Sequence, residues 1–99
     1  MVKRKITWSK SALKQFKKAI EYIRLNSDQN AEEAKTKILS KINELQDPIA
    51  VNRKDPYRKN NDGYYLYFET LKYRISYYDK SDEVLIIRVR HTKMEPKKY

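Results

Sequence analysis

The chain is predicted to fold as an α+β domain in which a helical hairpin covers one face of a largely antiparallel four-stranded sheet. Three observations predict this class. Two segments repeat apolar residues at spacings of three and four, and they follow each other directly. Three later segments are rich in β-formers, and one short alternating segment precedes the helices. The resulting order, β-α-α-β-β-β, keeps helices together and strands together, with no internal repeat or linker. All 99 residues are therefore read as a single domain, residues 1–99.

Val2 to Trp8 sets Val2, Ile6 and Trp8 on one face and Lys3, Lys5 and Thr7 on the other, as a half-buried strand does. Ser9 or Ser11 supplies a helix cap. Leu13, Phe16, Ile20 and Ile23 then form an apolar stripe, and Lys10, Lys14, Lys17 and Lys18 lie off it. Asn26-Ser27-Asp28 is a turn cluster. A second helix is expected from about Asn30, with Glu32 and Glu33 in its first turn, where carboxylates complement the helix dipole. Its buried stripe is Ala34, Ile38, Ile42 and Leu45, and Asp47-Pro48 stops it. Two helices joined by so short a turn pack as a hairpin. Residues 46–62 show no periodicity and read as a loop closed by the single glycine, Gly63. Strands follow at Tyr64–Glu69, Tyr73–Tyr78 and Val84–Arg90, separated by turns of hairpin length.

Composition narrows the function. Lys and Arg number 23 against 13 acids, a net charge of +10, so the partner is expected to be a polyanion or an acidic protein. No apolar run reaches the roughly 20 residues of a membrane span, and no membrane partner is expected. Zero cysteines exclude thiolate chemistry and Cys-based zinc sites, and one histidine without an acidic cluster argues against a catalytic metal. No metal or cofactor is expected. The opening Met-Val-Lys-Arg-Lys has no apolar stretch behind it, so a cytoplasmic location is expected rather than export.

Side-chain parity along the last three strands separates two faces. Leu66, Phe68, Ile75, Leu85, Ile87 and Val89 form an ordinary core set. Tyr65, Tyr67, Arg74, Tyr78, Arg88 and Arg90 share the other face. Phenol rings stack on bases and guanidinium groups pair with phosphates, so this face is a candidate for nucleic-acid contact. The same residues also serve as plain cross-strand packing on a half-wetted face. The loop Arg53-Lys54-Asp55-Pro56-Tyr57-Arg58-Lys59 adds Arg58 as a phosphate binder. Beyond the last strand, Arg88-Val-Arg-His-Thr-Lys-Met-Glu-Pro-Lys-Lys-Tyr99 gathers cations, the only histidine and a tyrosine at one end of the sheet. A lone histidine in such a place is either a structural hydrogen-bonding group or a neutral base.

Trp8-Ser9 before the hairpin, Tyr73-Arg74-Ile75-Ser76-Tyr77 in a middle strand and Arg88-Val89-Arg90-His91 in the last one resemble the RelE/ParE toxin superfamily, over nearly the whole chain. The resemblance implies the toxin of a bacterial type II toxin–antitoxin pair, neutralised by an acidic antitoxin. RelE-type members cut mRNA on the ribosome without a metal, and this is the first reading. ParE-type members poison DNA gyrase and are not nucleases, and this is the alternative. A basic nucleic-acid-binding module is a third.

For the nuclease reading, the resemblance implies Arg74, Lys93 and Tyr99 as catalytic residues. His91 is absent from the RelE pattern, and it shares proton handling as the alternative to Tyr99 because some RelE-like nucleases use a histidine near the terminus. Arg74 matches the strand arginine of RelE. Lys93 and Tyr99 keep the six-residue spacing of its arginine and tyrosine, and Tyr65 and Tyr67 stand where RelE has two lysines. Tyr65, Tyr67, Arg58, Arg88 and Arg90 would hold the nucleic acid. Removal of residues 97–99 is expected to cost little stability, as is common for surface termini.

Overall fold

A computed structural model describes residues 3–47, 52–94 and 97–99. Among them lie strand β1 (Lys5–Trp8), helices α1 (Lys10–Arg24) and α2 (Asp28–Asn43), a 3-10 turn over Glu44–Gln46, and strands β2 (Arg53–Lys54), β3 (Tyr65–Thr70), β4 (Tyr73–Asp79) and β5 (Glu83–His91). The sheet has five strands in the order β1-β5-β4-β3-β2, with β1 parallel to β5 and the other pairs antiparallel.

The expected α+β architecture is present, and its strand count is corrected from four to five. The addition is β2, whose two residues pair with Tyr67 and Leu66 inside the segment read as a loop. Two residues carry no detectable alternation, so only the pairing reveals them. At the other edge β1 begins at Lys5; Val2 lies outside the described residues.

Both helices start on serine caps. Ser9 accepts from the amide of Ala12 at 3.0 Å, and Ser27 accepts from that of Asn30 at 3.1 Å. Each satisfies an amide that the first turn cannot pair internally. The second cap starts α2 at Asp28, earlier than expected, so Asp28 rather than Glu32 or Glu33 occupies the first turn. Glu32 instead reaches across the hairpin turn to Arg24, at 3.1 Å. Ser9→Ala should cost about 1 kcal/mol, read as a shift in the denaturation midpoint with an unchanged slope.

The buried stripe of α1 is Ala12, Phe16, Ala19 and Ile20. Leu13, expected inside, is 40% exposed. The two alanines allow α1 to approach the sheet closely, and rolling the helix onto them turns Leu13 outward. The α2 stripe is as expected, with Ala31 added to Ala34, Ile38, Ile42 and Leu45.

Beneath the helices lie Tyr73, Ile75, Tyr77, Val84, Ile86 and Val89. Strict parity placed Leu85 and Ile87 here, and the structure corrects this. Ser76 pairs with Arg88 but Tyr77 pairs with Ile86, so Ile87 is the extra residue of a β-bulge. The bulge resets the alternation, puts Val84 and Ile86 in the core at 0% exposure and leaves Leu85 and Ile87 half-buried.

The open end of the sheet is tied down by Arg4. Its guanidinium pairs with Asp79 and donates to the carbonyl oxygens of Leu45 at 2.8 Å and Lys80 at 3.1 Å. One buried side chain thus joins the segment before β1, the end of the hairpin and the β4–β5 turn.

Candidate functional site

The sheet face opposite the helices carries Tyr65 and Tyr67 from β3, Arg74, Ser76 and Tyr78 from β4, and Arg88 and Arg90 from β5. The pairing of Arg74 with Glu69 and Arg90, and of Ser76 with Tyr67 and Arg88, sets these side by side. Two further segments lie over this face: the loop of residues 55–63 and residues 97–99.

The loop owes its shape to short polar side chains. Asn61 accepts from the amides of Gly63 at 2.8 Å and Tyr65 at 3.2 Å, and donates to the carbonyl oxygens of Tyr65 and Asp55. Gly63 adopts φ +100°, a left-handed conformation that glycine takes without a steric cost. Asp55 is 2% exposed. One carboxylate oxygen accepts from the Tyr57 amide at 3.0 Å and the other from the Tyr99 hydroxyl at 2.5 Å.

Tyr99 is held at both ends. Its amide donates to the carbonyl of Tyr57 at 2.7 Å, and its own carbonyl accepts from the Lys59 amide at 2.5 Å. The ring lies between two guanidinium groups, Arg88 at 4.3 Å and Arg58 at 5.2 Å from its centroid. Burial, and then the bond to the Asp55 carboxylate, pushes the Tyr99 hydroxyl far above the ordinary phenol range. The phenol donates its proton to Asp55.

The arginines are similarly engaged. Arg58 stacks on Tyr65 at 4.1 Å and donates to its hydroxyl at 3.1 Å. Arg74 sits between the rings of Tyr57 at 4.4 Å and Tyr67 at 4.5 Å, and pairs with Glu69 through Nε at 3.2 Å and Nη2 at 2.8 Å. Arg88 donates to the carbonyl of Lys97 at 2.9 Å. Burial, and then the neighbouring Arg90, lowers the Arg88 pKa from its ordinary value.

The structure therefore brings together Arg58, Tyr65, Tyr67, Arg74, Arg88, Arg90 and Tyr99. It does not bring Lys93 into the same cluster, and His91 borders the cluster only at the end of the sheet. His91 pairs across the sheet with Tyr73, on the helix side, and its ring meets Tyr73 edge-on at 5.0 Å. Its Nδ1 accepts from the Lys93 amide at 3.0 Å. Lys93 is exposed in the turn after β5, beside a groove that Tyr22, Tyr73 and Met94 also line. His91 borders both this groove and the arginine face, at the end of the sheet.

Sequence reading missed three members. Glu69 was accessible to it, because the parity that groups Tyr65 and Tyr67 puts Glu69 on the same face. Asp55 and Tyr57 carried no such signal in an aperiodic loop. No set of three potential metal-ligating side chains gathers among the described residues, and none of their helices is long and apolar enough to cross a membrane.

Known proteins share this architecture. The chain is similar in fold to a solved structure described as "Chromosomal ParDE TA system from P. aeruginosa", with TM-score 0.72, 16% sequence identity, and coverage of 91% of this chain and 97% of that chain. No curated protein matches it. A family model described as "ParE toxin of type II toxin-antitoxin system, parDE" matches residues 6–96. The chain belongs to the ParE toxin family of type II toxin–antitoxin systems.

Proposed function

We propose that this toxin acts as a ParE-type poison of DNA gyrase, a binding protein rather than a ribonuclease. The observation that carries the reading is the closure of the Tyr/Arg face upon itself. Cutting RNA through its ribose 2′-hydroxyl requires a group that removes a proton and another that returns one to the leaving oxygen. The Tyr99 hydroxyl is donated to Asp55. Arg74 is sandwiched between two rings and paired with Glu69. His91, which could exchange a proton, lies at the end of the sheet with its ring against Tyr73 and its Nδ1 taken by the Lys93 amide, bordering the arginine face rather than lying within it. Tyr65 and Tyr67 replace lysines, which in a nuclease would supply mobile positive charge. The family match to ParE supports the same choice. The endoribonuclease roles of Arg74, His91, Lys93 and Tyr99, and the ribosome and mRNA as partners, are therefore set aside in favour of gyrase.

The cognate antitoxin is proposed to be acidic, since a +10 surface favours such a partner by long-range attraction as well as by contact. Gyrase as the target also implies action in the cytoplasm.

Brief induction in a bacterium, with DNA and protein synthesis followed separately, tests the reading. DNA synthesis should fall at least about tenfold and the SOS response should rise before protein synthesis changes. Arrest of translation first, with mRNA cut within codons, would return the nuclease reading to first place.

A further inference from the structure

The β3–β4 hairpin turns through two residues, Leu71 and Lys72, between the paired Thr70 and Tyr73. Both have left-handed backbones, with φ of 52° and 67°. A two-residue type I′ turn demands this of both central residues, and Asn-Gly meets the demand with least strain. Leucine and lysine meet it against the clash of Cβ with the backbone. The hairpin itself therefore has no need of this pair. Burial offsets the strain only in part, since Leu71 is 43% exposed.

The tip is nevertheless held firmly. The Lys72 carbonyl accepts from the Thr92 amide at 2.8 Å, which fixes it against the turn that follows β5. That turn presents Met94, 54% exposed, and the neighbouring part of α1 presents Tyr22, 65% exposed. Tyr22 and Met94 line one groove with Tyr73, Lys18 and Lys93. Lys18, Lys72 and Lys93 are all exposed, and none has an ion-pair partner among the described residues. An exposed apolar cluster rimmed by charge marks an interaction surface, and backbone strain collects at such places.

We propose that the Leu71–Lys72 tip, with Tyr22 and Met94 beside it, is the surface by which the toxin grips its target protein. A nucleic-acid backbone would satisfy the lysines but would leave leucine and methionine uncovered. A protein cleft with an apolar floor and an acidic rim satisfies both. Shape selects the target over the antitoxin: a hairpin tip is convex and enters a cleft of a larger folded partner, whereas a chain that folds on binding fills grooves. The proposal rests on the reading of this chain as a toxin that acts by binding, and under that reading the cleft belongs to gyrase.

The variant Leu71→Asn with Lys72→Gly tests it, because the new pair suits the turn and strips the grip. Its thermal midpoint should rise by at least about 4 °C. DNA cleavage by purified gyrase should need at least about tenfold more of it than of the parent. Its affinity for the antitoxin co-purified with the parent should stay within about threefold. Parental cleavage by the folded variant would overturn the proposal. A lower midpoint would overturn it too, by showing that the pair serves the fold. So would a loss of antitoxin affinity as large as the loss of cleavage, which would assign the surface to the antitoxin.

If the parent drives no cleavage with gyrase, the gyrase reading fails and the surface is tested separately. Growth arrest on induction without antitoxin then replaces cleavage as the readout. At equal protein level the variant should leave at least about tenfold more survivors than the parent, and equal survival would overturn the proposal. If the double variant does not fold, Met94→Ser in the neighbouring turn takes its place. It should lose at least about threefold in the same readout, and parental activity would overturn the proposal.

Discussion

Arg4→Ala should cost about 3 kcal/mol and lower the thermal midpoint by roughly 15 °C. Arg4 is 7% exposed and serves three acceptors in two separate parts of the chain, Leu45 and the adjacent Asp79 and Lys80. Removing it leaves the Asp79 carboxylate without its cation and the Leu45 carbonyl without this donor. Asp79 keeps 30% of its side chain in water, which holds the estimate at the low end of the range for a broken buried pair. A domain of this size has about 5–15 kcal/mol in all, so the loss is a large share. Denaturation of Arg4→Ala, Asp79→Ala and the double variant measures it. The double variant should be more stable than the sum of the single losses implies, because Arg4→Ala strands a carboxylate that Asp79→Ala removes. Strict additivity would mean that the pair contributes no coupling.

The second large effect is at Tyr99. The sequence reading expected removal of residues 97–99 to cost little stability, and the structure argues otherwise. Truncation after residue 96 removes two backbone bonds to the 55–63 loop, a ring packed between Arg58 and Arg88, and the only side-chain hydroxyl bonded to Asp55 Oδ2 among the described residues. With Asp55 2% exposed, an unpaired carboxylate oxygen there is costly. A loss of about 2–4 kcal/mol is expected, measured by chemical denaturation. Tyr99→Phe should lose about half of it, and Asp55→Asn in that background should recover part, since a neutral amide is cheaper to bury unpaired. A truncated chain as stable as the parent would show that the strap is not packed in solution.

What was legible in the sequence follows from how locally each feature is determined. The two helices were visible because Phe16, Ile20, Ile38 and Ile42 must share a face every turn, and a serine precedes each run. The Tyr/Arg face was visible because period two survives along β3 and β4. Two kinds of feature were not. The bulge at Ile87 inserts a residue without any change in composition, so Val84-Leu85-Ile86-Ile87 reads the same in either register. The Asp55–Tyr99 bond joins residues 44 positions apart, and neither neighbourhood has a pattern that announces the other. This second blindness mattered for function. With Arg74 and Tyr99 seen as free groups, the face suggests a nuclease. With Glu69, Tyr57 and Asp55 in place, it suggests a rigid surface for binding.

That distinction can be measured with purified components. The chain, released from its antitoxin, is added to DNA gyrase and supercoiled plasmid with ATP, and in parallel to ribosomes programmed with mRNA. The gyrase reaction should accumulate protein-linked, double-strand-cleaved DNA in proportion to the toxin, while the mRNA stays intact. Intact plasmid beside mRNA cleaved on the ribosome would contradict the account.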